Sequence, residues 1–285
     1  MRLSTTLRVI IITMVSLAAP ASYAADVDFP APDSAVSPSS ATTYLDLARH
    51  FVPDLAPTGG GYVGKTIIPL RHIGGPGYSS GQPEEFGFYD IATVSLHADG
   101  KERLLVLFDM AQSTRAPDGV AILALYDAGK QVRLLDAADI GFDQSTYFFD
   151  QGLMPVSPTS DVILTMSTHF NSSQAYTTQS MIMVRNDRLQ LIDTAFLFND
   201  KLCTAERQQN IRYAANPDAG KPYAPINVFV TETTTPTHGD CGSDPTPPLG
   251  TRNFHVTYQW DVTAGKYVRN SDVLEKLAKA NEERF

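Results

Sequence analysis

LLVLFD at Leu104–Asp109, VAILALYD at Val120–Asp127 and QVRLLD at Gln131–Asp136 are three apolar runs in a row. A tight turn, Asp127-Ala128-Gly129-Lys130, separates the second from the third. The pattern returns as VILTM at Val162–Met166, SMIMVR at Ser180–Arg185, the turn Asn186-Asp187, and LQLID at Leu189–Asp193. Asp136 and Asp193 lie 57 positions apart, as do Val132 and Leu189. Runs of this length between turn residues predict short antiparallel strands.

The same reading extends outward. Tyr89–His97 leads into Asp99-Gly100, a hairpin dipeptide, and returns as Arg103–Asp109. A looser third copy follows near the C-terminus: Ile226–Glu232, Phe254–Asp261, a Gly265-Lys266 turn and Tyr267–Arg269. Each copy is a meander of three or four strands, each strand alternating so as to bury one face. The expected fold is all-β, built of repeated antiparallel meanders and β-propeller-like, with a β-sandwich as the alternative. Asp200–Tyr223 and Thr233–Arg252 read as polar insertions between the second and third copies.

Two helices flank this core. Tyr44, Leu47, Ala48 and Phe51 fall at i, i+3, i+4 and i+7, and Pro53 stops the run, giving a short helix that covers the β core. Leu274, Leu277, Ala278 and Phe285 line one face of a C-terminal helix over 271–285, capped by Asn270 or Ser271 and packed on a sheet edge. Thr58–Gly61 reads as a glycine-rich loop, and Lys65–Ile73 as a first edge strand because of Pro69.

Residues 1–24 read as a signal peptide: Arg2 and Arg8, the apolar Val9–Ala19, and Ser22-Tyr23-Ala24 before the cleavage point. Residues 25–43 form a Pro- and Ser-rich linker, and 44–285 a single domain. Cleavage removes two positive charges, taking the net charge from -9 to about -11. The chain is therefore expected to be exported, periplasmic or secreted, with no membrane span after cleavage. Its basic residues look scattered, which argues against a nucleic-acid partner. In an oxidising compartment Cys203 and Cys241, the only cysteines, are expected to pair.

Chemistry is less legible. Gly77-Tyr78-Ser79-Ser80-Gly81 is a G-x-S-x-G sequence. Arg71–Gly81 resembles the His-Gly-Gly-Pro-Gly oxyanion segment of some α/β-hydrolases, with Ile73 inserted after His72. That resemblance implies a serine hydrolase with Ser79 as nucleophile and His72 or His169 as its histidine. Pro83-Glu84-Glu85 follows where the hydrolase elbow needs an apolar helix, so a glycine-rich loop is the preferred reading.

Asp136, Asp139 and Asp143 offer carboxylates to a cation, and Ala98-Asp99-Gly100 before Leu104 resembles the acidic turn of an FG-GAP-type propeller repeat. That implies a calcium-dependent module, although the alternating Asp-x-Asp-x-Asp-Gly ligands are missing. No cofactor is expected. The preferred function is a binding or scaffold protein of the bacterial cell envelope, its partner an envelope protein or a small ligand.

Overall fold

The computed structural model describes residues 27–78, 85–88, 90–110, 119–129, 131–218, 220–237, 241 and 246–284, with the side chains of 88, 90 and 151 left aside. Residues 1–24, expected as a signal peptide, Ser79 and the rest of the G-x-S-x-G loop beyond Tyr78, and His238 lie outside the described residues.

The chain is all-β and antiparallel, as the sequence predicts. A small sheet holds β1 (Ala56–Thr58), β2 (Gly61–Gly64) and β3 (Phe86–Phe88). A second holds β4 (Asp90–Ala98), β5 (Lys101–Asp109), β6 (Ala121–Asp127) and β7 (Arg133–Asp139) in sequence order. The third is a meander of eight strands. It runs β8 (Ser145–Ser157), β9 (Ser160–Phe170), β10 (Gln174–Arg185) and β11 (Arg188–Lys201), then β12 (Ala205–Ala215), β13 (Ile226–Pro236), β14 (Gly250–Asp261) and β15 (Lys266–Arg269). The two sequence copies are β5-β6-β7 and β9-β10-β11. Sheets of three, four and eight strands do not confirm a propeller, since the third copy continues the sheet of the second.

The apolar runs that define the pattern are buried on both faces. Leu105, Leu107, Leu123 and Leu125 point toward β8–β11, where Ile163, Ile182, Val184 and Leu189 meet them. Val106, Phe108, Ile122, Ala124 and Tyr126 point the other way, onto the N-terminal helix. The expectation of one buried face per strand therefore fails for β5 and β6. Their near-continuous apolar composition is what a middle layer requires, because each residue left in water would forfeit about 1.5–3 kcal/mol of burial.

The helix that covers them, α1 (Tyr44–Arg49), starts at Thr43 in a capping box with Asp46. Tyr44, Leu47, Ala48 and Phe51 are all buried, as their spacing predicts. The stretch expected as a linker lies against this layer from Val27 on: Asp28 and Thr93 exchange backbone hydrogen bonds of 2.9 and 2.8 Å. Thr58–Gly61, expected as a loop, is the turn of the β1–β2 hairpin. Lys65–Ile73 is not a strand; Pro69 has no N–H to give, and the segment makes only isolated bonds such as Ile68 N to Phe51 O and Ile73 N to Asp139 O.

The large sheet bends in two places. A bulge between Met181 and Ile182 on the β10–β11 pair lets β11 send Leu189 to one core and Ala195 and Leu197 to the other. β11 then pairs with β12 through only Asp200↔Arg207 and Lys201↔Glu206. The sheet splays there, and β13–β15 fold Val228, Val230, Val256 and Tyr258 back toward Met181, Met183 and Leu197. The second helix, α2 (Val273–Glu282), lies in the mouth this opens, against β11 and β14 rather than on a sheet edge. Asp272 is its N-cap residue, and Leu274, Leu277 and Asn281 are its buried face.

β12 and the ends of β13 and β14 occupy the stretches expected as polar insertions. They order as strands because their inward polar groups bond one another. Cys203 and Cys241 form a disulfide between the β11–β12 turn and the β13–β14 connection. No helix among the described residues is long and apolar enough to cross a membrane.

Candidate functional site

Beneath α2 the splayed sheet leaves a cavity of about 360 Å³, lined by Arg207, Glu232, Arg252, Phe254, Val273, Lys276, Leu277, Ala280 and Arg284. That volume falls within the roughly 300–1,000 Å³ of small-molecule sites. Its body is apolar, from Phe254, Val273, Leu277 and Ala280. Its charge is one-sided: four cations and one carboxylate.

A buried polar cluster fixes the walls. Glu232, on β13, is 1% exposed. Its Oε1 accepts from Arg252 through both Nε, at 2.9 Å, and Nη2. Its Oε2 accepts from Gln209 Nε2 at 2.7 Å and from Arg284 Nη1 at 3.4 Å. Gln209 in turn accepts from Phe198 N at 3.0 Å and exchanges amide bonds with Asn281 of α2. Asn281 Nδ2 also reaches Phe196 O, and Arg284 Nη2 donates to Asn281 Oδ1. The cluster thereby joins β11, β12, β13, β14 and α2.

Not every cation is used up. Arg252 is committed to Glu232. Arg207 lies beside Asp200, with Nη1 and Oδ2 3.7 Å apart, too long for a hydrogen bond. Among the described residues Arg207 Nε and Nη1 and Arg284 Nε are buried without a hydrogen-bond partner. Burial pushes the Asp200 carboxyl up from the usual carboxylate range, with Arg207 opposing and Glu232 adding to the rise. Buried donors left unpaired cost about 1–3 kcal/mol each, so such groups call for a partner.

The residues singled out from sequence gather elsewhere. Four of them meet at the loop 139–143. Asp139 is buried, and its Oδ1 accepts from Ala121 N and Gly141 N at 3.2 and 2.9 Å. His72 Nδ1 accepts from Gly74 N at 3.1 Å, which leaves Nε2 to donate to Gly141 O at 2.9 Å. The His72 ring stacks on Tyr78 and meets the edge of Phe142. Asp143 lies 2.6 Å from His169 Nδ1, and the His169 ring stacks on Tyr176 at 4.2 Å. Asp136 stands apart, clamped between Arg71 and the backbone of Leu189. The three aspartates thus have separate partners, and among the described residues no three of His, Cys, Asp and Glu are grouped to hold a metal ion.

The cavity residues were missed because they are far apart in sequence. Arg207, Arg252 and Arg284 read as scattered charges on polar segments. The one available signal was Glu232, a carboxylate at the end of the alternating run Ile226–Glu232. The chain matches no protein-family model, no curated protein and no solved structure.

Proposed function

We propose that this chain is an exported binding protein of the cell envelope, and that it takes a small ligand in the cavity beneath α2. The observation that carries the reading is the coincidence of an apolar cavity with buried, unpartnered arginine donors at its wall. Export rests on the signal-like residues 1–24 and fits a disulfide, which persists in oxidising compartments.

The test is a thermal-shift panel of metals, sugars, peptidoglycan fragments, ester analogues and organic acids on the oxidised chain and on Ala280→Trp. Ala280 is exposed and lines the cavity, so the indole fills it without entering the core. A ligand that binds only the folded state stabilises it by RT ln(1 + [L]/Kd) and so raises the melting temperature. At least one class is expected to stabilise the parent and not the variant. A panel that stabilises neither, or both equally, overturns the reading.

A second reading, a serine hydrolase, is favoured by one observation. His169 with Asp143 at its Nδ1 is the base-and-orienter half of a nucleophilic triad. Ester hydrolysis lost in both Ser79→Ala and His169→Ala would support it; activity surviving either change removes that residue.

A further inference from the structure

We infer that the cavity beneath α2 selects an anion with an apolar body: a single carboxylate head on a short alkyl chain. This rests on the reading of that cavity as the binding site. Four observations converge on it.

The first is the sign of the charge. Four cations, Arg207, Arg252, Lys276 and Arg284, face one carboxylate, Glu232, across the cavity. Counting Asp200 beside Arg207, and Asp272 with its Oδ1 3.0 Å from Lys276 Nζ, still leaves a local excess of one positive charge. The whole chain carries -9. A positive pocket in an acidic protein is a local arrangement and does not follow from bulk composition.

The second is donor capacity. Glu232 is already bonded by Arg252, Arg284 and Gln209, so it cannot also satisfy Arg207. Arg207 is 11% exposed in its side chain, and its Nε and Nη1 are both unpartnered. Nε–H and Nη1–H point to different sides of the guanidinium, so they are two separate charge-assisted donors for anionic oxygens.

The third is the lining. Phe254, Val273, Leu277 and Ala280 offer only carbon to a ligand, so a small hydrophilic anion would leave them wet while an alkyl chain dries them. Each buried methylene adds about 0.8 kcal/mol. The fourth is rigidity. Gln209 and Asn281 tie α2 to β12, so the wall carrying Leu277 and Ala280 is held before a ligand arrives.

The experiment is isothermal titration of the oxidised chain with sodium octanoate at neutral pH, beside sodium acetate, inorganic phosphate, 1-octanol and octyltrimethylammonium. Octanoate is expected to bind, acetate and phosphate at least tenfold more weakly, and the neutral and cationic octyl compounds more weakly still. Arg207→Gln and Lys276→Gln are each expected to weaken octanoate at least fivefold. Lys276 sits on the exposed face of α2, so its variant keeps the fold even if Arg207→Gln does not. If the octyl compounds bind alike regardless of charge, or acetate matches octanoate, the inference is overturned while the cavity remains a binding site. If no compound here binds but another class stabilises the parent and not Ala280→Trp, the ligand class alone is wrong. If nothing stabilises the parent selectively, both readings fall.

Discussion

Gln209 and Asn281 face each other as a reciprocal amide pair. Gln209 Nε2 donates to Asn281 Oδ1 at 2.9 Å, and Asn281 Nδ2 donates back to Gln209 Oε1 at 3.0 Å. Both side chains are buried. The pair explains how a helix with only two buried leucines stays in the mouth of the sheet: the third inward position is polar and specific. A leucine there could slide; an amide with three partners cannot.

Asn281→Ala should therefore be costly, since the side chain is fully buried. It leaves Gln209 and Phe196 O with unmet buried groups, a loss of about 1–3 kcal/mol. Chemical denaturation should show a lower midpoint with an unchanged slope. An unchanged midpoint would mean that Leu274 and Leu277 alone hold α2.

In the sequence, Asp136 reads as a possible cation ligand. Its Oδ2 accepts from Arg71 Nη2 at 2.5 Å and from Leu189 N at 2.8 Å, and Arg71 also donates to Leu189 O. It sits between the two large sheets. Asp136→Ala should lower stability by about 1–3 kcal/mol with or without added calcium. A calcium-dependent rise in the melting temperature of the parent, absent in the variant, would return Asp136 to a metal site.

Asp161 gives a pH signature. Burial raises its carboxyl above the usual range, and the bond from His97 N and the half-exposed His97 ring oppose that rise. A folded-state value above the unfolded one means that the folded chain binds the extra proton. The contribution to stability is then full below the ordinary carboxylate value and is lost as pH rises through the raised one. Asp161→Asn removes the titration and still accepts from His97 N. It should melt higher than the parent at pH 7.5, with the difference shrinking toward pH 3. A variant that melts lower at pH 7.5 would show that the ionised carboxylate is stabilising.

The disulfide closes a loop of 38 residues. Reduction, or the Cys203→Ser and Cys241→Ser pair, should cost about 4 kcal/mol in the chain-entropy model. It should act most on the β11–β12 turn and the β13–β14 connection. A melting temperature unchanged by reduction would mean that these segments are held by the Glu232 cluster alone.

The sequence was most informative where a physical period governs it. Runs such as VAILALYD have one solution, a buried strand, and the i, i+3, i+4, i+7 spacing of Tyr44, Leu47, Ala48 and Phe51 has another. It misled where partners are distant. β12 looks too polar to order, because Gln209 acquires its value only beside Glu232 and Asn281. Lys65–Ile73 looks apolar enough to pair, but with Pro69 in it the segment joins no strand ladder. The candidate site was illegible for the same reason: its cations come from β12, β14 and α2, and no local pattern joins Arg207 to Arg252 and Arg284. The chemistry-like loops at His72 and Asp139–Asp143 did come together in space, although their spacing in the chain showed only turn residues.

Hydrogen–deuterium exchange on the oxidised chain, with and without octanoate, tests the central claim most directly. Occupancy of the cavity predicts slower exchange in 273–284 and in the segments around Arg207, Glu232 and Arg252, with β5 and β6 unchanged. Protection that appears instead around His72, Asp143 and His169, or nowhere, would contradict a binding site beneath the C-terminal helix.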